Sequence, residues 1–260
     1  MDVTSSGRSG RDASGAAAPE GGADGGDGAT LLVLCAHGTR GPRGRRTVGA
    51  LVDALSRSRP GTPVRAAFVD VQRPAVAEVV AEHAPHRDVL VVPVLLSGGH
   101  HVGSDVERAV APWPRAASAG PLGPHPLLDD VLADRLVEAG ARPGDAVVLA
   151  AAGSSDPRAA PDVERVAAAL RARHDGEVVV GYGAAAHPRV PAAVRALREG
   201  GARRVLVASY LLGPGFFHDR LASAGADAVS EPLLTSPDGG LEPRVLQVVW
   251  SRYDGAVVPA

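Results

Sequence analysis

The sequence predicts an α/β protein made of two similar domains, each a parallel β-sheet flanked by helices. The two halves align with each other at a shift of 115 or 116 positions, with residues 37–43 over 152–158 and residues 95–101 over 211–217. In each half, short continuous apolar runs alternate with segments of helical apolar spacing. Such runs are typical of parallel strands covered on both faces, and the alternation is typical of βαβ units.

The first half contains three strand-like apolar runs, each followed by a segment with helical spacing. The predicted strands are Leu31–Ala36, Val64–Val71 and Val89–Leu96, the last ended by Gly98-Gly99. The first helix carries Val48, Leu51, Val52 and Leu55 on one face, and the second opens at Pro74 and carries Val76, Val79 and Val80. Asp105 is placed to cap or charge the start of a third helix, and Leu127–Val137 predicts a fourth.

The second half repeats this order of elements. The predicted strands are Val147–Ala151, Glu177–Tyr182 and Val205–Leu212, and the predicted helices carry Val163–Leu170, begin at Pro188, and cover Arg244–Tyr253. We therefore expect a first domain over residues 30–141 and a degenerate repeat of it over residues 142–256. Residues 1–29 are rich in Gly, Ala, Ser and Asp without an apolar run, so they predict a disordered tail.

Composition excludes several classes of protein. The formal net charge is −2, and all 27 basic residues are arginine, so no basic face for nucleic-acid binding is expected. No apolar stretch resembles a signal peptide or a membrane span, which predicts a cytoplasmic protein. Cys35 is the single cysteine and lies on a predicted strand, where a buried inert thiol is expected. No phosphate-binding loop or nucleophile elbow is present, which disfavours a phosphoryl-transfer enzyme or an α/β hydrolase.

Reactive side chains follow the three strands of the first half only. His37 follows the first strand, Asp70 ends the second, and His100 and His101 follow the third. Ligands bind at the carboxyl ends of strands in open α/β sheets, so these side chains are expected at one edge. Two imidazoles and a carboxylate suit a borderline divalent metal ion or proton transfer.

Each of these residues also has a purely structural interpretation. A histidine at a strand end can serve as a hydrogen-bonded structural residue, and Asp70 can cap the following helix. Adjacent side chains alternate in extended chain, so His100 and His101 are not expected to enter one cleft together. The second half, however, carries Ala152, Ala184 and Phe217 at the positions of His37, Asp70 and His101. This asymmetry favours one functional site, in the first half.

Three segments of the first half resemble the signature segments of the CbiX/SirB-type sirohydrochlorin chelatases. They are LLVLCAHGTRGP, AAFVDVQRPAVAEVV and VLVVPVLLSGGHHVGSDV, and the resemblance extends over about residues 30–255. It implies two chelatase-like domains, the second degenerate, and insertion of ferrous iron or cobalt into a tetrapyrrole without ATP. His37 and His101 match the two active-site histidines of the family, while Asp70 falls where many members carry Glu.

The resemblance also implies roles for the surrounding residues. His37 and His101 would hold the metal, with Asp70 as a catalytic partner, and the metal would be a substrate, with no tightly bound cofactor. Sirohydrochlorin carries many carboxylates, so substrate-binding candidates are Arg40, Arg43, Arg73, Ser97, Gly98 and Gly99. A monomer with an internal pseudo-dimer is expected. The alternative is a carrier that binds metal or tetrapyrrole without catalysis, and His218 is a further candidate at the rim of the cleft.

Overall fold

The computed structural model describes residues 28–98, 100–236, 238–256 and 258, without the side chains of residues 100–102. The elements of the first half are β1 (Leu31–Ala36), α1 (Pro42–Ser58), β2 (Val64–Phe68), α2 (Val76–His83), β3 (Val89–Pro93), α3 (His100–Val110), β4 (Ala116–Ser118) and α4 (Pro126–Glu138). Those of the second half are β5 (Ala146–Ala151), a 3-10 turn (Pro157–Ala159), α5 (Ala160–Arg171), β6 (Val178–Tyr182), α6 (Val190–Glu199), β7 (Val205–Tyr210), α7 (Phe216–Leu221), β8 (Ala228–Val229) and α8 (Pro243–Asp254).

Each half forms a four-stranded parallel sheet, which confirms the predicted fold class. The strand orders are β2-β1-β3-β4 and β6-β5-β7-β8. The first strand of each half lies inside its sheet and all six of its residues are buried, because helices cover both faces. The strand β1 therefore divides its side chains between two cores, with Leu32 and Leu34 on one side and Leu31 and Val33 on the other.

The last helix of each half packs against the other half. The helix α4 contacts β7 and α5, while α8 contacts α1 and β3, and α4 and α8 also contact each other. Together they join both sheets into one shared apolar core that includes Leu34, Leu132, Leu149 and Val248. The domain limits 30–141 and 142–256 remain a prediction, and residues 1–27 of the predicted tail lie outside the described residues.

Several predicted element boundaries are wrong. The strand β2 ends at Phe68, before Asp70, because Val71 has a positive φ of 62° and the chain turns there. The N–H of Phe68 then donates to the carbonyl of Pro74, and Ala75 is extended and bridges to Phe68, so α2 begins at Val76 and not at Pro74. In the second half, the N–H of Tyr182 donates to the carbonyl of Pro188 in the same way. The helix α6 therefore begins at Val190, two residues beyond Pro188.

Other corrections concern the third strand of each half and the short elements. The strand β3 ends at Pro93, and the N–H of Leu95 donates a hydrogen bond to the Pro93 carbonyl in the turn that follows. The strand β7 ends at Tyr210. Asp105 does not cap α3, because it is the sixth residue of that helix and pairs with Arg108. The strands β4 and β8 and the helix α7 were not predicted from the sequence. No helix among the described residues is long and apolar enough to cross a membrane.

Candidate functional site

The loops that follow β1 and β2 are joined through their backbones at the carboxyl edge of the first sheet. The N–H of Val69 donates to the carbonyl of Ala36 at 3.1 Å, and the N–H of Asp70 donates to the carbonyl of His37 at 3.1 Å. Both His37 and Asp70 have exposed side chains. The structure thus brings two of the predicted site residues together.

A glycine makes this close approach possible. Gly38 has a φ of +95°, and a Cβ at this position would lie 2.2 Å from the carbonyl oxygen of Asp70. A residue with a side chain is strained at this φ and would push the Asp70 backbone away. The second residue of the His37-Gly38-Thr39-Arg40 segment therefore determines how closely the two loops pack.

The carboxylate of Asp70 caps its own turn and not a helix. Its Oδ1 accepts a 2.7 Å hydrogen bond from the N–H of Val71. The structural alternative for Asp70, capping of α2, is wrong, since the carboxylate of Glu78 accepts the N–H of Ala75 at the start of that helix at 2.8 Å.

Gln72 joins the same two loops through its side chain and was not predicted as a site residue. Its Oε1 accepts a 2.8 Å hydrogen bond from the N–H of Thr39, across the same pair of loops. The hydroxyl of Thr39 in turn accepts the N–H of Gly41 at 3.1 Å, just before α1 begins. Gln72 lies within a segment that carries the family resemblance, but its position in the chain gives no indication of this contact.

The loop after β3 is held by the second half. The hydroxyl of Tyr210 in β7 donates to the carbonyl of Leu96 at 2.9 Å, and the carboxylate of Asp162 in α5 accepts the N–H of Gly98 at 2.8 Å. Ser97 is half-buried between these two anchors. The second half therefore holds a loop of the predicted site through Tyr210 and Asp162.

Gly99 lies outside the described residues, and so do the side chains of His100 and His101. Their backbones form the first two residues of α3, so the argument from alternation in extended chain does not apply to them. Among the side chains that the structure describes, no three His, Cys, Asp or Glu residues are grouped as a metal site. The pairing of His37 with His101 stays a prediction.

The candidate arginines lie at the same edge but differ in their partners. Arg43, at the start of α1, forms a 2.5 Å ion pair with Asp219 of α7, so it bridges the two halves. Arg73 pairs with Glu78 of α2. The side chain of Arg40 is exposed. Recognition of substrate carboxylates by these side chains stays a prediction.

The second half repeats this backbone without the reactive side chains. The N–H of Ala184 donates to the carbonyl of Ala152 at 2.8 Å, as Asp70 does to His37. Gly153 has a φ of +89°, and a Cβ there would lie 1.9 Å from the Ala184 carbonyl oxygen. Phe217 is the second residue of α7, as His101 is of α3. The alignment of the two halves is therefore correct at these positions.

The model of one protein family, CbiX, matches this chain twice, over residues 31–139 and 146–256. The chain belongs to the CbiX family. One similar relative is the sirohydrochlorin cobaltochelatase of Methanococcoides burtonii, which is 25% identical over 118 residues. That match covers 39% of this chain and 90% of the relative.

Solved structures of CbiX-type proteins share the two-domain fold. SirB from Bacillus subtilis with Fe³⁺ has a TM-score of 0.70 at 19% identity, covering 87% of this chain and 94% of SirB. A structure of CbiX described as the terminal enzyme of siroheme biosynthesis in denitrifying bacteria has a TM-score of 0.63 at 22% identity. That alignment covers 88% of this chain and 99% of the other. At these identities the likeness establishes the fold.

Two other residues of this CbiX-family chain, Cys35 and His218, have structural interpretations. Cys35 is buried in β1, and burial raises the pKa of its thiol to about 12, which confirms the expected buried thiol. The Nε2 of His218 lies 3.1 Å from the carbonyl of Ser230, so His218 links α7 to the segment after β8. Its predicted place at the rim of the cleft has no support from this contact.

Proposed function

We propose that this chain is a sirohydrochlorin chelatase, a lyase that inserts Fe²⁺ or Co²⁺ into the tetrapyrrole without ATP. Its product would enter siroheme or cobalamin biosynthesis. Membership of the CbiX family and the cobaltochelatase relative support this proposal. The observation that carries it is the repeated loop pair, which holds His37 and Asp70 in the first half and only Ala152 and Ala184 in the second.

In this proposal the metal ion is a substrate that His37 and His101 hold through neutral imidazole nitrogens. His37 is suited to this role because its side chain is exposed and it directly follows a fully buried strand, whose backbone is held by packing on both faces. Insertion releases two pyrrole protons, which the same imidazoles would accept as the metal leaves them. Asp70 would orient a histidine or stabilise its protonated form through the carboxylate oxygen that Val71 does not use.

Arg40, Arg43 and Arg73 would bind the substrate carboxylates, together with Ser97, Gly98 and Gly99 of the loop after β3. To bind the substrate, Arg43 would have to leave the carboxylate of Asp219 and pair with a carboxylate of the substrate. Both side chains of that pair are about half exposed, so the exchange costs little. We further propose that the protein acts as a monomer in the cytoplasm and has no tightly bound cofactor.

A metallation assay on the full chain tests this function. Absorbance of sirohydrochlorin is followed after addition of Fe²⁺ or Co²⁺ without ATP, with the spontaneous rate subtracted. We expect turnover well beyond one product per chain, its loss in His37→Ala, and its retention in His86→Ala, a control at an exposed histidine of another loop. Stoichiometric binding of metal or tetrapyrrole without turnover would show that the protein is a carrier and not an enzyme. Absence of any binding would reject both the chelatase and the carrier hypothesis.

A further inference from the structure

A cavity of about 460 Å³ opens at the carboxyl edge of the second sheet, at the position that the predicted metal site occupies in the first half. Ala184 and Phe217, the counterparts of Asp70 and His101, both line it. A cavity of this volume is in the range of small-molecule binding sites. The rest of its wall comes from the loop after β6, the start of α6 and the end of α7.

The third helix of the second half, which lines the cavity, is shorter than its counterpart in the first half. In the first half, α3 has 11 residues and packs against α2. In the second half, α7 has only 6 residues and packs less closely against α6. The space between them is bounded by the buried side chains of Val190 and Leu221, which belong to the outer core of that half.

Charge at this position differs between the two halves. The residue before the second helix is Ala75 in the first half and Arg189 in the second, and both bridge to the end of the preceding strand. The fifth residue of the third helix is Ser104 in the first half and Arg220 in the second. The second half has thus lost the metal-binding side chains and gained two arginines that line the cavity.

Both guanidinium groups are available to a ligand. Within the described part of the chain, neither Arg189 nor Arg220 forms an ion pair, and Arg220 lies 5.4 Å from the centre of the Phe216 ring. Phe217 forms an aromatic wall beside them, with its ring at Gly183 and 38% of the residue exposed. Arginine is the side chain best suited to carboxylates, and an aromatic wall suits a flat apolar body.

We propose that this cavity is a second ligand site, which binds carboxylate groups attached to a flat apolar ring. Arg189 and Arg220 bind the carboxylates, and Phe217 packs against the ring. Among the described residues that line the cavity there is no histidine and no acidic residue, so we do not propose it as a metal site. The carboxylates belong either to the tetrapyrrole of the proposed reaction or to a separate small aromatic acid.

Binding of a fluorescent naphthalene dicarboxylate to the full chain, measured without metal, tests the site independently of the proposed function. We expect saturable binding of one molecule per chain, weakened about tenfold or more by Arg189→Gln with Arg220→Gln. Ser223→Trp, which fills an exposed position of the wall, should weaken it as well. Arg195→Gln, an exposed arginine of α6 that does not line the cavity, and His37→Ala should leave it unchanged.

Competition with sirohydrochlorin identifies the source of the carboxylates. If they belong to the tetrapyrrole, it displaces the probe, and the double arginine variant raises KM in metallation without lowering kcat. If they belong to a separate acid, probe and tetrapyrrole bind together and KM is unchanged. The proposed site would be refuted if the probe showed no saturable binding, or if Arg189→Gln with Arg220→Gln left the binding unchanged. Failure of metallation alone would overturn the proposed function and not this site.

Discussion

Gly38 and Asp70 are in backbone contact so close that no side chain fits between them. A Cβ on Gly38 would lie 2.2 Å from the carbonyl oxygen of Asp70, and the φ of Gly38 is +95°. The same loop pair holds the hydrogen bond from Asp70 to His37. The position of the predicted metal-binding histidine thus depends on a residue without any functional group.

We predict that Gly38→Ala lowers metallation about a hundredfold, because the added methyl must separate the loops that carry His37 and Asp70. The free energy of unfolding should fall by about 1–3 kcal/mol, from backbone strain and the clash. Initial rates of metallation and urea unfolding provide the two measurements. Gly153→Ala is the matched control, since it introduces the same clash with Ala184 in the second half. Equal losses of activity in the two variants would contradict the assignment of the site to the first half.

His37→Ala and His101→Ala should each lower the rate of metal insertion about a hundredfold or more, whereas His100→Ala should have much less effect. The reason is that His37 and His101 match the two histidines of the family pattern and His100 does not. Steady-state rates with circular dichroism as a check of folding measure this. A rate close to that of the unchanged protein in either of the first two variants would refute the proposed ligand pair.

Tyr210→Phe tests the contact through which the second half holds the loop after β3. The residue is 2% exposed, and its hydroxyl donates to the Leu96 carbonyl at 2.9 Å, so its loss leaves that carbonyl without this partner. We expect a loss of about 1 kcal/mol in the free energy of unfolding, and a few-fold lower kcat because Ser97 and Gly98 are less well held.

Tyr182→Phe is the control for this variant, because the Tyr182 hydroxyl has no hydrogen-bond partner among the described residues. Its effect on the free energy of unfolding should stay within about 0.5 kcal/mol. If Tyr210→Phe is equally neutral, the hydrogen bond to Leu96 does not support the loop.

The elements that bring His37 and Asp70 together are those for which local patterns are strongest. The run Leu31–Ala36 is apolar throughout because helices cover both faces of its strand, so its extent was predicted correctly. Since β1 and β2 are parallel neighbours, the residues after them had to meet at one edge. The strands β4 and β8 were missed because three and two residues are too few to show any period.

Contacts between the halves could not be predicted from the sequence. The apolar faces of α4 and α8 fit either sheet equally well, so nothing in their spacing indicates that each packs against the other half. The hydrogen bond from the N–H of Gly98 to the carboxylate of Asp162 could not be predicted either, because no pattern in the two segments indicates that they are in contact. Pro74 was predicted to start a helix because proline favours the first helical turn, but here it pairs with the end of β2.

The last prediction concerns Asp129 in the first turn of α4. Its Oδ1 is buried without a hydrogen-bond partner among the described residues, and burial raises the pKa of this carboxyl from 3.8 to about 6. A raised pKa means that the folded protein binds this proton more tightly than the unfolded chain does. The tighter proton binding by Asp129 therefore contributes its full share to the free energy of unfolding below about pH 4. This contribution is lost as the pH rises through about 6.

Asp129→Asn should therefore stabilise the protein above pH 6, because the amide has the size of the carboxyl group without its buried charge. We expect a gain of about 1 kcal/mol at pH 7.5, after allowance for the part of the carboxylate that water still screens, and no gain below about pH 4. Asp130→Asn is the control, since Asp130 forms a 2.8 Å ion pair with Arg173, so its loss should destabilise slightly at pH 7.5. Urea unfolding from pH 3.5 to 8 measures both variants, and a gain for Asp129→Asn that does not change with pH would show that charge burial is not its cause.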